Sequence, residues 1–502
     1  MSVTTSFRPY DGRPVTSVSD TAPEVVQVAV DDAVQAAALL AATSPGQRRA
    51  WLRAVADNLE THADALVALA DEETALGTPR LTAELDRTAA QLRFYGEVAA
   101  EGSYLGVTID GSTATTPRLV RVNRPVGPVA VFGASNFPFA FGVLGHDTAS
   151  ALAAGCPVVA KAHPAHVGLS VCLADLATES LLSAGAPEAT FALVVGQQAG
   201  TQLVAAEGTA VVAFTGSQAG GMALWRIVNE RDRVIPMYAE MGTVNPVVVT
   251  PAGARNFEEV ARGFVGSFTL GSGQYCTKPG LMLVPRGHDA ASVVAAALLE
   301  AVPRPRMLTE AIAGSVRTTL AELEEAGATN VVTVPGGRDG WSAPAAVLSA
   351  PVAALLPGSQ LLEECFGAVA LVVEYADEEE LRSALDALHG SLVGTVVTGG
   401  DKDDPDARWL VELLSNQVGR VTVGDWPTGV ACSWAQHHGG PWPATTDAGA
   451  TSVGAAALDR FVRPVTYQSV QDAWLPPPGR ADNPWHLPRR IDGRLVIPGS
   501  GT

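Results

Sequence analysis

Apolar residues recur at helical spacing through the first hundred positions of the chain. Between Arg48 and Leu69, the residues Leu52, Val55, Leu59 and Leu66 fall on one face, the stripe that a helix buries. Ser44-Pro45-Gly46-Gln47 precedes that run and has the form of a capping box, with proline at the first helical position and glutamine at the third. An alanine-rich helix is expected from Asp31 to about Ala41 and a third from Pro79 to Ala99, with residues 1–22, rich in Thr, Ser and Pro, as an extended lead-in. Between Val107 and Val122 the helical period gives way to short pieces around Asp110-Gly111-Ser112, which predicts a hairpin standing away from the main body.

From Gly127 the pattern alternates. Short apolar runs at 128–132, 157–160, 191–195 and 210–214 are separated by helical stretches at 139–154, 167–183 and 198–206. Strands that are apolar throughout, alternating with helices, predict a parallel sheet covered on both faces. A dinucleotide fold fits this order, although the strict GxGxxG fingerprint is absent. A second alternation runs over 241–430, with strands at 246–250, 281–284, 369–373 and 395–398 and helices at 289–301 and 308–326. The chain therefore reads as α/β. Residues 1–106 form a helical N-terminal part of the cofactor domain, 107–125 a hairpin, 126–240 a dinucleotide-binding domain, 241–430 a second α/β domain, and 431–502 a C-terminal segment.

Composition narrows the classes. A chain of 502 residues calls for two or three domains, and 47% hydrophobic with 17% charged residues is that of a globular protein. The net charge of −19, without a basic cluster, argues against nucleic acid or an anionic membrane as partner. No uninterrupted apolar run reaches the roughly 18 residues of a membrane span, and the N-terminus lacks a secretory pattern. The five cysteines, Cys156, Cys172, Cys276, Cys365 and Cys432, are odd in number and scattered, with no CxxC. They predict neither a disulfide framework nor a metal site, but a reduced, cytoplasmic protein.

Chemistry concentrates around Cys276, in Gly271-Ser-Gly-Gln-Tyr-Cys276-Thr-Lys278. A thiol there is either a buried core residue or a nucleophile, and the neighbouring lysine favours the thiolate. Asn136 sits in a turn directly after a strand, where it either bonds its own backbone or offers an amide to an oxyanion. Lys161 ends a strand, the edge that faces the ligand crevice in open α/β sheets; on a bare surface it would be a solvated charge. Gly216, Ser217 and Gly221 follow strand 210–214 and open a helix, the arrangement that lets backbone approach a pyrophosphate, or else a plain tight turn. Glu240 is a carboxylate in an apolar surround, which needs either a structural partner or a task in proton transfer. Glu364 and Phe366 lie in a loop before a strand and carry little signal alone.

In this order these pieces resemble the aldehyde dehydrogenase superfamily: Ala-Ser-Asn136-Phe-Pro, Val-Val-Ala-Lys161, Phe-Thr-Gly216-Ser217, Ala-Glu240-Met-Gly, Gly-Gln-Tyr-Cys276 and Glu364-Cys-Phe366-Gly. The resemblance spans about residues 20–475. Lys161-Ala-His163-Pro-Ala-His166, Gln274-Tyr-Cys276-Thr-Lys-Pro-Gly280, His438-Gly-Gly-Pro441 and Thr451-Ser-Val-Gly454 make it similar to the 2-oxoglutarate semialdehyde (2,5-dioxovalerate) and NADP-dependent fatty aldehyde dehydrogenases. The resemblance implies a Rossmann-type dinucleotide domain, a catalytic domain, and an oligomerisation arm built from the hairpin and the C-terminal segment of a homodimer or homotetramer. It also implies Cys276 as nucleophile, Asn136 as oxyanion donor and Glu240 as general base. Lys161 and Glu364 would hold the ribose units, Phe366 the nicotinamide, and Gly216, Ser217 and Gly221 the pyrophosphate. His163 and His166 stand where NAD-dependent members carry a glutamate, so NADP is the expected cofactor, with NAD possible. His437-His-Gly-Gly-Pro-Trp replaces the usual Pro-Phe-Gly-Gly at the substrate mouth. The expected substrate is 2-oxoglutarate semialdehyde. The alternatives are a longer aliphatic or aromatic aldehyde, with Phe137, Phe139, Trp434 and Trp442 lining an apolar tunnel, a non-redox cysteine hydrolase or thioesterase, or a catalytically silent protein.

Overall fold

The computed structural model describes residues 2–400 and 404–499. Five strands form a wholly parallel sheet in the spatial order Phe191–Val194, Val158–Lys161, Val129–Phe132, Val211–Gly216, Met237–Met241. Each strand is built mainly from buried apolar residues, as a sheet covered on both faces requires. The chain starts at the central strand and builds outwards first to one side and then to the other, so the order reverses at Val129–Phe132. That reversal opens a crevice at the carboxyl ends of the strands.

Seven strands form the second large sheet, in the order Thr329–Val334, Ala345–Ser349, Val369–Tyr375, Leu281–Pro285, Pro246–Val249, Ser391–Val397, Val418–Val423. Only the edge strand Thr329–Val334 runs antiparallel to its neighbour. A third sheet joins distant parts of the chain. Leu119–Pro125 pairs antiparallel with both Thr108–Asp110 and Val462–Gln468, and Arg489–Ile491 and Arg494–Val496 complete its far edge. The hairpin expected between 107 and 122 is thus present, extended by three C-terminal strands.

Local signals account for the helices. Ser44 caps Pro45–Thr61 through the reciprocal bonds of a capping box with Gln47. The helical run expected over 48–69 is two helices, Pro45–Thr61 and Ala63–Thr74, which meet at His62. The lead-in is more ordered than composition indicated: Val3–Phe7 and Pro14–Ser19 form a hairpin, and the Ser6 hydroxyl donates to the buried Glu73 carboxylate. The helix expected from Phe139 begins only at His146. The Phe139 and Ala140 amides donate instead to Glu84 Oε1, at 2.9 and 3.0 Å, so a buried side chain takes bonds that a helix would have used. Phe257–Thr269, which no expectation from sequence covered as a helix, presents Phe257, Ala261, Phe264 and Phe268 to the core.

Two helical segments, Pro23–Ala42 and Pro164–Ser183, are long and apolar enough by composition to cross a membrane, which qualifies the expectation that no such segment exists. In the first, Val26, Val30, Ala33, Ala36 and Leu40 are buried. That spacing is the stripe of a helix packed on a protein core.

Candidate active site

The thiol is placed by an unusual turn. Helix Phe257–Thr269 ends in Leu270–Gly273, where Gly271 and Ser272 both take left-handed backbone angles, φ +56° and +63°. The chain then runs back into the body of the protein and sets Cys276 half-buried at its end. Asn245 fixes the backbone on both sides of Thr277. Its own φ is +54°, a region that asparagine tolerates better than most residues. Its side-chain amide donates to the carbonyls of Cys276 (2.8 Å) and Lys278 (3.1 Å), while its oxygen accepts from the Val393 amide (3.2 Å). Asn245 was missed from sequence, although its place in an Asn-Pro pair directly before a buried strand was a visible signal.

Glu240 lies in the edge strand Met237–Met241 of the five-stranded sheet. The late segment around 438–452 is stitched to that edge: the Met241 amide donates to Ala444 O (2.8 Å) and the Ala239 amide to Thr446 Oγ1 (2.9 Å). This stitching carries His438 and Ser452 inwards. His438 Nε2 lies 3.6 Å from Cys276 Sγ and 2.8 Å from Glu240 Oε1, and the Ser452 hydroxyl donates to Glu240 Oε2. The His438–Glu240 contact is close in distance but poorly aligned, since Oε1 has no well-formed hydrogen bond. Sulfur, imidazole and carboxylate atoms all fall within 4.8 Å of one another. From sequence, His438 stood out as part of a subgroup motif and of a replaced segment at the substrate mouth, with no chemical role assigned. Nothing in local spacing could have brought it to a residue 162 positions away.

Asn136 sits in the turn after Val129–Phe132, and its amide donates to Gln274 O at 2.8 Å, two residues before the thiol. The structure therefore brings Asn136, Glu240 and Cys276 to one place. It does not bring Lys278 there. The Lys278 ammonium is buried and donates to Val369 O at 2.8 Å, on the side of Glu364 and Cys365. The expectation that this lysine favours the thiolate is corrected: the side chain points into the seven-stranded sheet, and the group beside sulfur is His438.

Electrostatics follow from burial. Enclosure pushes the Cys276 thiol well above its ordinary value, and the Glu240 and Glu364 carboxylates push it further. The resting sulfur thus carries its proton. Burial alone would push the Glu240 carboxyl up as well. The electrostatic pull of the adjacent His438 ring, then the Ser452 hydroxyl and Arg460, outweigh it and hold the carboxyl below the usual range. Sulfur therefore has an imidazole nitrogen at 3.6 Å and a carboxylate beyond it.

The candidate nucleotide residues lie along the strand ends. Lys161 closes Val158–Lys161; burial lowers its ammonium, and Asp20 of the N-terminal hairpin pulls it back up. Ser217 caps helix Gln218–Glu230 by accepting from the Gly220 amide at 3.2 Å. Gly216 and Gly221 have a packing reason to lack a side chain. A Cβ at Gly216 would stand 2.7 Å from the Phe214 ring, and one at Gly221 2.7 Å from Met241 Sδ. Glu364 abuts Gly242 across the crevice, where a Cβ would stand 2.0 Å from Oε2. Burial raises its carboxyl to about 7, and Oε1 has no partner. A cavity of about 210 Å³ opens here, lined by Gln218, Thr243, Glu364, His389 and Trp442 among others. Phe366 is half-buried two positions on. A capped helix N-terminus, strand-end lysine and unpartnered carboxyl along one crevice fit a dinucleotide. The five cysteines are all free.

Residues 2–462 match the profile of the Aldehyde dehydrogenase family. The chain is 42% identical over 460 residues to alpha-ketoglutaric semialdehyde dehydrogenase 2 of Azospirillum brasilense, covering 89% of this chain and 87% of that one. It is 38% identical over 466 residues to alpha-ketoglutaric semialdehyde dehydrogenase of Acinetobacter baylyi, covering 90% and 88%. Its fold is similar to that of betaine aldehyde dehydrogenase from Staphylococcus aureus in complex with NAD+, with a TM-score of 0.80 at 19% identity over 94% of this chain and 93% of that one.

Proposed function

The chain belongs to the aldehyde dehydrogenase family, and on that premise we propose that it oxidises 2-oxoglutarate semialdehyde to 2-oxoglutarate. The reaction joins aldehyde, water and oxidised dinucleotide, and yields carboxylic acid, reduced dinucleotide and a proton. The observation that carries the active-site assignment is the cluster of Cys276, His438 and Glu240, with Asn136 tied to the same segment.

Cys276 sulfur attacks the aldehyde carbon as its proton leaves towards the His438 and Glu240 pair. The Asn136 amide and the Cys276 backbone N–H meet the oxyanion. Bound dinucleotide supplies the acceptor for the hydride. The resulting thioester on Cys276 is hydrolysed by water that gives its proton to Glu240, a carboxylate held ionised by His438 and Ser452. Lys161 and Glu364 hold ribose hydroxyls, Gly216, Ser217 and Gly221 flank the pyrophosphate, and Phe366 packs near the nicotinamide.

NADP is the preferred cofactor in this reading and NAD is also accepted. The loop after Lys161 carries His163 and His166, whose rings stack at 5.3 Å, in place of a carboxylate. Burial keeps both rings neutral, so Lys161 meets the phosphate charge. Asp20 is the acidic group brought near Lys161, and it limits the preference. The same reading takes 126–240 as the dinucleotide unit, with 1–106 as its helical flank, and 241–430 as the catalytic unit. The sheet that joins 107–125 to 431–502 becomes the arm of a cytoplasmic homodimer or homotetramer. Trp474 and Leu495 on that arm are 71% and 61% exposed, an apolar surface suited to a second copy.

The substrate assignment rests on the two semialdehyde dehydrogenases that the chain resembles over nine-tenths of its length. Its test is kcat/KM for 2-oxoglutarate semialdehyde against a medium-chain aldehyde, with both dinucleotides. Preference for the carboxylated substrate is expected; preference for the apolar one would sink it.

A further inference from the structure

Arg80 stands beside the segment that carries the thiol, within the field of Glu84 but with no hydrogen bond to it. It lies in the first turn of helix Thr78–Glu101, and its guanidinium packs over the ring of Phe137 at 5.0 Å and that of Tyr275 at 5.1 Å. Those two rings meet edge to face at 5.1 Å. Phe137 follows Asn136, and Tyr275 precedes Cys276, so the guanidinium packs on the immediate neighbours of both site residues. Nη2 donates to Asn136 O at 2.7 Å. Nε is buried with no hydrogen-bond partner, and no carboxylate forms an ion pair with Arg80 among the described residues. Gly271 faces Nη1, and a Cβ there would approach to 2.9 Å, so the glycine keeps this side of the fork clear.

An arginine held between aromatic rings, with part of its fork unused, is costly unless something anionic completes it. Cation–π contact offsets only part of that cost. Glu84, the nearest acid along the helix, shares its field with Arg80 and Arg87 but completes neither fork: Oε1 accepts from the Phe139 and Ala140 amides, and Oε2 makes no hydrogen bond. Arg87 repeats the pattern two turns on, 6.0 Å from the Phe141 ring and with Nη2 buried and unpaired. A purely apolar tail would leave the unused donors of both forks unmatched.

We propose that Arg80 forms a carboxylate-binding subsite at the mouth of the Cys276 pocket, taking the tail of an ω-carboxylated aldehyde. This rests on the reading of Cys276 as the aldehyde-binding thiol. The planar fork offers a carboxylate two parallel bonds, and the flanking rings hold it in plane. The subsite acts on selection between aldehydes, while bond making stays with Cys276.

The test measures kcat/KM for 2-oxoglutarate semialdehyde, for 5-oxopentanoate and for pentanal, in wild type, Arg80→Gln and Arg80→Lys. The ratio of carboxylated to uncharged substrate is expected to fall about 100-fold in Arg80→Gln, mainly through KM, and to recover in part in Arg80→Lys. Because each ratio is taken within one variant, a loss of folded protein cancels. An Arg80→Gln ratio equal to that of wild type, whether or not both rates fall, overturns the subsite. If wild type favours 5-oxopentanoate over 2-oxoglutarate semialdehyde and Arg80→Gln loses both relative to pentanal, the subsite stands and the named substrate falls. Wild type favouring pentanal overturns both.

Discussion

The thiol side and the nucleotide side of the crevice are organised differently. Around Cys276 the polar groups hold one another: His438 touches both sulfur and Glu240, Ser452 donates to Glu240, Asn136 donates to Gln274 O, and Asn245 clasps the backbone on either side of Thr277. Along the nucleotide side, placement comes from strand ends and packing. Lys161 feels the field of Asp20, Glu364 Oε1 has no partner among the described residues, and Gly216 and Gly221 are fixed by Phe214 and Met241. The difference separates two tasks. A nucleophile must be aimed to within a fraction of an ångström before the substrate arrives, which needs side chains locked by other side chains. A dinucleotide brings its own hydrogen-bonding groups, so its side of the crevice needs only a shape and a few open donors and acceptors.

The comparison can be broken most severely at sulfur. Cys276→Ala should lower aldehyde-dependent formation of reduced dinucleotide by at least about 10⁴-fold, while dinucleotide affinity, followed by titration, stays within about threefold. Residual turnover near wild type would remove the thiol from its role. A second break concerns the turn that carries Asn136. Glu84 holds that turn through Phe139 and Ala140, and burial raises its carboxyl from 4.5 to about 7. The folded state therefore binds the proton more tightly than the unfolded chain does. Stability is full below about pH 4.5 and falls as pH rises towards 7, by up to about 3 kcal/mol for this group. Glu84→Gln should flatten that dependence, and denaturant melts at pH 5 and pH 8 read it directly; an unchanged slope would show that Glu84 does not cause it.

Asn245→Ala tests whether the clasp is needed at all. Losing its bonds to Cys276 O, Lys278 O and the Val393 amide should cost about 2 kcal/mol in chemical denaturation and slow alkylation or turnover at Cys276. Retention of both would mean that the turn is held by its backbone alone. The smallest effect is expected across the crevice. Lys161→Ala should raise the dinucleotide KM about tenfold with kcat changed less than about threefold, as a group that binds without aiming should behave. A large fall in kcat would mean that the nucleotide side is as tightly coupled to the chemistry as the thiol side.

Four strands of the five-stranded sheet were legible because each is a short apolar run bounded by turns, a pattern that sequence displays directly; the edge strand Met237–Met241, which carries Glu240, was not read as a strand. The capping box at Ser44 was legible for the same reason: all its parts lie within four residues. What stayed hidden depends on distance along the chain. His438 is 162 positions from Cys276, and Ser452 is 212 from Glu240. A histidine beside a pair of glycines gives no sign of which strand edge it will be stitched to. Lys278 misled for the converse reason: two positions separate it from the thiol in sequence, yet its ammonium turns away and ends on Val369 O. The delayed start at His146 likewise came from tertiary bonds, those of Glu84 to the Phe139 and Ala140 amides, that no local periodicity encodes.

The strand pairing of 119–125 with 462–468 spans some 340 positions, and the late segment that bears His438 and Ser452 lies just before it. On a ribosome, the parallel sheet and the nucleophile turn emerge long before the residues that complete them. The nascent protein can fold its nucleotide half early, but Glu240 stays without its imidazole and hydroxyl neighbours until nearly nine-tenths of the polypeptide has been made. The polar neighbours of the thiol are thus added last, when the surrounding scaffold is already in place.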